Sequence, residues 1–151
     1  MIETRELFTL TLDVPSIKDL GATPWGHRRI AQVTGGRFEG ERLKGTVHAG
    51  PGGDWMLLRQ DGVLALDVRI TLETDDGHLI FMSYRGMRHG PAWVIEALNK
   101  GEKVDPSQYY FRSTPYFETA SEKYRFLNRI VCVATGRRDP TGPVYEVFQI
   151  L

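Results

Sequence analysis

VLALDVRITLETDDGHLIFMSYR, residues Val63–Arg85, decides the fold. In its first part Leu64, Leu66, Val68, Ile70 and Leu72 alternate with Ala65, Asp67, Arg69, Thr71 and Glu73. That period of two puts an apolar and a polar face on one β-strand. Asp76-Gly77 then offers the positive φ that a tight hairpin needs, and Leu79–Arg85 returns as the partner strand.

The same signature recurs on both sides of this hairpin. Arg5–Val14 sets Phe8, Leu10, Leu12 and Val14 against Thr9, Thr11 and Asp13. Further strands fit Arg29–Phe38, Arg42–His48, Asp54–Arg59, Gln108–Glu118, Arg129–Arg137 and Val144–Leu151, making about nine. Turn residues separate them, among them Gly35-Gly36, Gly50-Pro51-Gly52-Gly53, Asp61-Gly62 and Asp139-Pro140-Thr141-Gly142-Pro143. Many short strands at that spacing point to an antiparallel sandwich or barrel. Two short helices interrupt them. Gly90-Pro91 opens the first, Gly101 stops it, and Trp93, Val94, Ala97 and Leu98 give it an apolar face. The second follows Thr119, with Glu122 completing a capping box and Tyr124 and Leu127 sharing a face. Helical patterns are too few for a parallel α/β sheet. No repeat or composition break divides the chain, so residues 1–151 form one domain. The expected fold is all-β: a single antiparallel β-barrel of about nine strands with two short accessory helices.

The chain has 151 residues, 41% hydrophobic and 25% charged, so it can build a core without staples. Nineteen Lys and Arg balance nineteen Asp and Glu, and a net charge of zero argues against nucleic-acid binding. Cys132 is the only cysteine, which excludes an intrachain disulfide and a cysteine-rich metal cluster. It lies in the run Ile130-Val131-Cys132-Val133-Ala134 and reads as a small buried hydrophobe. The chain opens Met-Ile-Glu-Thr-Arg-Glu without a signal core, and no run approaches about 18 apolar residues. A soluble cytoplasmic protein with no membrane contact is expected.

The order of motifs carries a family resemblance. Gly35-Gly36-Arg37-Phe38-Glu39-Gly40 precedes Leu43-Lys44-Gly45-Thr46-Val47 and Gly52-Gly53-Asp54-Trp55. Asp61-Gly62, Leu66-Asp67-Val68-Arg69 and Thr74-Asp75-Asp76-Gly77 follow. Tyr110-Phe111-Arg112-Ser113-Thr114-Pro115, Phe117-Glu118-Thr119 and Tyr124-Arg125-Phe126-Leu127-Asn128 come later. Together these resemble the DUF3237 family, also labelled UPF0311, over nearly the whole chain. Gly52-Gly53-Asp54-Trp55 is one residue shorter than the Gly-Gly-x-Asp-Trp form typical of that family. The resemblance implies a compact antiparallel barrel similar to the calycin or lipocalin type, and it brings no catalytic residues with it.

Chemistry has several places to sit. A small barrel has alternating inward and outward positions, and one of eight strands can hold one small ligand. The 108–118 strand places Tyr110, Arg112, Thr114, Tyr116 and Glu118 on one face and Tyr109, Phe111, Ser113, Pro115 and Phe117 on the other. Rings that bury apolar surface, with a few charges to orient a ligand, make an amphipathic pocket. Facing outward, the same set is an Arg–Glu surface pair. Asp67 and Arg69 share a face of their strand; inside they must pair, outside they are solvated strand charges. Asp54 either reaches a barrel mouth or caps its own loop, while Trp55 either walls the pocket or plugs the barrel end.

His27, His48, His78 and His89 lack a paired-ligand spacing, so no metal is expected. No Gly-x-Ser-x-Gly elbow or phosphate loop is present, which disfavours covalent serine catalysis and nucleotide binding. Pro15–Arg28 and Gly86–Ser107 remain as long connections, binding loops or lids by their length, and the Trp93 helix is placed to stopper a barrel end.

The expected site gathers Asp67, Arg69, Tyr110, Arg112 and Glu118 in one lumen cavity, with Asp54, Trp55 and Tyr84 near its mouth. Arg112 serves as anion clamp; Glu118, Asp67 or Asp54 serves as the base. Two function classes follow. One is a cofactor-free isomerase, cyclase or lyase acting on a small apolar or aromatic carbonyl compound. The other is a non-catalytic ligand-binding or scaffold barrel. A homodimer or homotetramer is expected in either case.

Overall fold

The computed structural model describes residues 1–151. Its strands are β1 (Thr4–Asp13), β2 (Ile17–Thr23), β3 (Gly26–Gln32), β4 (Gly35–Glu39), β5 (Lys44–Val47), β6 (Gly53–Leu58), β7 (Leu64–Thr74), β8 (Leu79–His89), β9 (Tyr110–Glu118), β10 (Cys132–Asp139) and β11 (Gly142–Ile150). One helix, α1 (Ala92–Asn99), joins β8 to β9. All pairings are antiparallel. Strands β7-β5-β4-β1-β11-β10-β9-β8 follow one another, and β8 pairs back onto β7, so eight strands close a barrel.

The remaining strands form a branch. One edge of β7 serves two partners end to end: Leu72–Thr74 pair with β5, and Leu64–Arg69 pair with β6. β3 adds to β6 and β2 adds to β3, so the sheet forks at β7 and β2 ends it with a free edge.

The alternating pattern of β7 settles which way the barrel faces. Leu64, Leu66, Val68, Ile70 and Leu72 are buried, and the residues between them are not. Ten residues of β7 pair with β8, from Leu64↔Arg88 to Glu73↔Leu79. Gly77 takes φ +88° in the connecting turn, where the Thr74 hydroxyl accepts from the His78 N–H at 2.8 Å. At the turn end of the lumen Phe8 meets Phe38 at 5.3 Å and Phe117 at 5.8 Å between ring centroids, the tilted and edge-on contacts that aromatic pairs prefer. Leu10, Ile70, Leu72, Ile80 and Met82 fill the space around them and are fully buried. Cys132 is buried as expected, and burial pushes its thiol up to about 11.

Eleven strands stand where about nine were expected. Pro15–Arg28 is not a loop: it supplies β2 and the start of β3. A bulge between Asp19 and Gly21 breaks the alternation there and hides the strand from a period-two reading. Arg29–Phe38 divides into β3 and β4 at Val33-Thr34. Gly36 has φ +145°, and a Cβ on it would lie 2.2 Å from the Thr11 carbonyl oxygen, so only glycine lets β4 approach β1 this closely.

Of the two helices, α1 forms, and Gly101 ends it at φ +78°. The second is a 3₁₀ turn over Arg125–Arg129 with Tyr124 and Leu127 buried, not an α-helix. Asn128 brackets Thr119 by accepting its N–H and donating to its carbonyl, while Glu122 turns to Arg125 and leaves the capping box unmade. No helix is long and apolar enough to cross a membrane.

Candidate functional site

The strand faces of β7 and β9 turn the expected site inside out. On β9, Phe111, Ser113, Pro115 and Phe117 are buried, while Tyr110, Arg112, Thr114, Tyr116 and Glu118 are exposed. On β7, Arg69 is exposed and Asp67 is half-buried on the outer wall. The lumen placement of Asp67, Arg69, Tyr110, Arg112 and Glu118 is therefore corrected. The apolar alternative on each strand takes the interior because burying charge without a partner costs more than burying a ring. The outer wall still brings some of them together: Asp67, Tyr110, Arg112 and the exposed Trp55 share a groove of about 720 Å³ with Arg28, Arg85 and Met87. Arg69 lies beside it with Asp67 in a shallower depression, and Glu118 sits at the far end of β9 opposite Phe81. Of the expected residues, Asp54 and Tyr84 line the lumen.

They line a cavity of about 390 Å³ at the end of the barrel where the branch diverges. Leu12, Val33, Met56, Leu66, Val68 and Phe111 form apolar walls, and Arg29, Asp54, Tyr84, Arg88, Arg138 and Tyr145 supply the polar groups. Leu98 and Asn99 at the end of α1 close part of the rim. The helix packs through Val94 and Leu98, while Trp93 is 60% exposed and plugs nothing.

Asp54 owes its position to a gap in the β6–β7 ladder. Asp54↔Val68 and Leu57↔Ala65 pair, but Trp55 and Met56 do not pair with Leu66 and Asp67. The freed Asp67 N–H donates instead to Asp54 Oδ1 at 3.0 Å. Burial raises the Asp54 carboxyl to about 7 against the pull of that N–H, with the charge of Asp67 raising it further and that of Arg88 lowering it. It is therefore poised between its two protonation states near neutral pH.

Facing it, the Tyr84 and Tyr145 rings meet edge-on at 5.0 Å, and Tyr145 meets Phe111 at 5.3 Å and 88°. Burial holds both phenols well above their ordinary range, so both stay neutral. The Tyr145 hydroxyl lies near enough to influence Tyr84, but the buried Tyr84 hydroxyl has no hydrogen-bond partner in good geometry. The Nε of Arg88 is likewise buried and unpartnered. Burial disfavours the charge on Arg88, and the neighbouring Arg138 adds to that effect. A guanidinium nevertheless keeps its proton, so the cost remains as an unneutralised cation. Arg138 is lowered by burial too, and its backbone N–H donates to the Tyr109 hydroxyl at 2.9 Å. Arg29 faces Asp19 at 3.8 Å, and Asp19 also binds His27 at 2.5 Å.

Elsewhere His48 pairs with Glu73 and His89 stacks on Tyr110; no group of three or more His, Cys, Asp or Glu gathers with metal-binding geometry.

Sequence reading misses Arg29, Arg88, Arg138 and Tyr145, and the last three carry a signal. The even-numbered register of β8 that buries Ile80, Met82 and Tyr84 continues through Gly86 to Arg88. A strand ended at Arg85 leaves Arg88 outside β8, which runs on to His89. Arg138 lies one residue past the expected end of β10, and Tyr145 sits beside Val147 in β11.

The chain matches, over residues 3–150, the family described as "Protein of unknown function (DUF3237)". It belongs to the DUF3237 family. A UPF0311 protein from Rhodopseudomonas palustris is 33% identical over 150 residues, 99% of this chain and 97% of that one. Among solved structures, a conserved protein of unknown function from R. palustris superposes at TM-score 0.96 with 33% identity, covering 100% of this chain and 99% of that chain. A β-barrel-like protein from Acinetobacter baumannii reaches 0.87 with 38% identity, covering 100% and 97%. A protein described as an enzyme from Penicillium herquei shares the fold at 0.74 with 20% identity, covering 99% and 95%. The bacterial relatives and the Penicillium herquei protein share the barrel fold of this chain.

Proposed function

We propose that this DUF3237 barrel binds a small apolar or aromatic carbonyl compound in its lumen and moves a proton on it, as a cofactor-free isomerase, cyclase or lyase does. The observation that carries the reading is Asp54: a carboxyl raised to about 7 by burial, in the same cavity as a Tyr84 hydroxyl without a partner. A general acid–base works best when its pKa lies near the operating pH, so that both forms are present. With Oδ1 held by the Asp67 N–H, the other oxygen of Asp54 is the one that takes a proton from a carbon or hydroxyl of the ligand. Tyr84 and Arg88 donate to the oxygen on which negative charge then develops, between largely apolar walls. That a fungal protein of this fold is described as an enzyme is compatible with this reading and assigns no chemistry to it.

The test uses carbonyl compounds that raise the melting temperature in a thermal-shift screen. Each is incubated with the protein in D₂O, and deuterium entry at its acidic position is followed by NMR. Catalysed exchange in the wild type, reduced about 100-fold or more in Asp54→Asn, is the expected result. Binding without exchange would leave a carrier barrel, the non-catalytic alternative.

A further inference from the structure

Arg88 is a cation without an ion pair. Its Nε is buried and unpartnered, and none of the chain's ion pairs includes it. Its strongest charged neighbour is another cation, Arg138, with Arg29 also acting on it. Two carboxyls line the same cavity, and neither forms an ion pair with it, although its charge reaches Asp54. Asp19 is engaged by His27 and faces Arg29. Asp54 gives one oxygen to the Asp67 N–H. Within the same cavity the Tyr84 hydroxyl has only the Tyr145 hydroxyl near it and no hydrogen bond in good geometry. Four residues apart on β8, and both lining the one cavity, stand a half-buried arginine whose Nε has no partner and a buried hydroxyl without a well-formed hydrogen bond. They are costly to keep, since their desolvation goes uncompensated. Such groups call for an explanation, and a bound acceptor is one.

We infer that the occupant of the lumen is an anion: a small apolar or aromatic molecule whose carboxylate or enolate sits against Arg88 and Tyr84. This deepens the function proposed above and rests on the lumen being the binding site. The planar fork of a guanidinium suits an oxyanion whose charge is spread over two oxygens. Arg138 reinforces the positive field from β10. The apolar walls, Leu12, Val33, Leu66 and Phe111, set the body of the ligand: compact and without a second charge. A carboxylate and an enolate share this chemistry and differ in where the charge originates, so both are tested.

Two matched pairs serve as probes: 2-naphthoate with 2-naphthamide, and dimedone, an enolate at pH 8, with its neutral methyl enol ether. Calorimetric titration at pH 8 is run on the wild type, Arg88→Met, Arg88→Lys and Tyr84→Phe. The expected result is that at least one anion binds ten-fold or more tightly than its neutral partner. Arg88→Met brings that preference below two-fold, Arg88→Lys restores part of it, and Tyr84→Phe weakens the anion several-fold. Unliganded Arg88→Met melts no lower than the wild type, because an unpaired buried charge has been removed. The inference is overturned if the neutral partners bind as well as the anions, and lumen binding then survives without it. It is also overturned if Arg88→Met keeps the preference, or if that variant melts several degrees lower and so reveals a structural partner. Failure of all four probes to bind removes the inference and the lumen-binding reading together.

Discussion

The two ends of the lumen are built from the same strands and obey different rules. On β8 the inward residues run Ile80, Met82, then Tyr84 and Arg88; on β10 they run Cys132, Ala134, then Gly136 and Arg138. On β1 and β7 they stay apolar throughout, from Phe8 to Leu12 and from Leu72 to Leu64. The turn end is filled on every side, and the buried Thr74 hydroxyl there is bonded to His78 in the hairpin turn. The branch end is apolar along one wall and polar along the other, with a hole between them. Packing decides the first end, where each ring is seated by its neighbours. The second end breaks the rule that buried polar groups are satisfied, at Tyr84 and Arg88, and the Ser113 hydroxyl on β9 breaks it as well. Proteins break local rules of this kind chiefly where they bind or react, and stability elsewhere carries the cost.

The contrast can be attacked from both ends. The largest effect belongs to the filled end: Phe8→Ala leaves a cavity in a seamless core and lowers stability by about 3–5 kcal/mol in urea denaturation. A loss under about 1 kcal/mol there would mean the turn end is loosely packed after all.

Next comes Asp54→Asn. The folded-state pKa is raised above the ordinary value of 3.8, so folding favours the protonated carboxyl and the ionised form opposes it. This opposition is absent below pH 3.8 and grows as pH rises towards about 7, where it levels off. The variant should therefore match the wild type near pH 4 and exceed it by about 2–4 kcal/mol at pH 8. Parallel stability curves across that interval would place Asp54 in water instead.

Tyr84→Phe removes a hydroxyl that makes no well-formed hydrogen bond, and the unliganded protein should hold steady or gain about 1 kcal/mol. Smallest of all, Arg69→Ala and Glu118→Ala on the outer wall should each stay within about 0.5 kcal/mol of the wild type and leave ligand-induced melting shifts unchanged. A lost ligand shift in either would move the site to the outside of the barrel.

The sequence carries the barrel more clearly than its contents. Period-two alternation in β1 and β7 is a property of single residues and their neighbours, and it fixes those strands and their buried faces. Closure of β8 onto β7 follows from a hairpin signalled by Asp76-Gly77. Which face of β9 enters the lumen is another matter. Tyr109, Phe111, Ser113, Pro115 and Phe117 compete there with Tyr110, Arg112 and Tyr116, and both sets are amphipathic. Only the other strands settle that contest, by surrounding β9 with apolar side chains. Asp54 was recognised, but what raises it to about 7 is a gap in the β6–β7 ladder that pairing creates and no local pattern announces. Arg29, Arg88 and Arg138 come together from three strands distant in sequence.

The fork at β7 has one further consequence. The closed ring is complete without β2, β3 and β6, because β5 and β4 already join β7 to β1. The branch therefore supplies Ile17, Asp19, Arg29 and Asp54 to the cavity without being a stave of the barrel. Part of the lining is thus written outside the ring, while Tyr84, Arg88, Arg138 and Tyr145 belong to the ring itself. Grafting a different Ile17–Gln32 hairpin onto the same ring is the natural route to changing what the lumen admits.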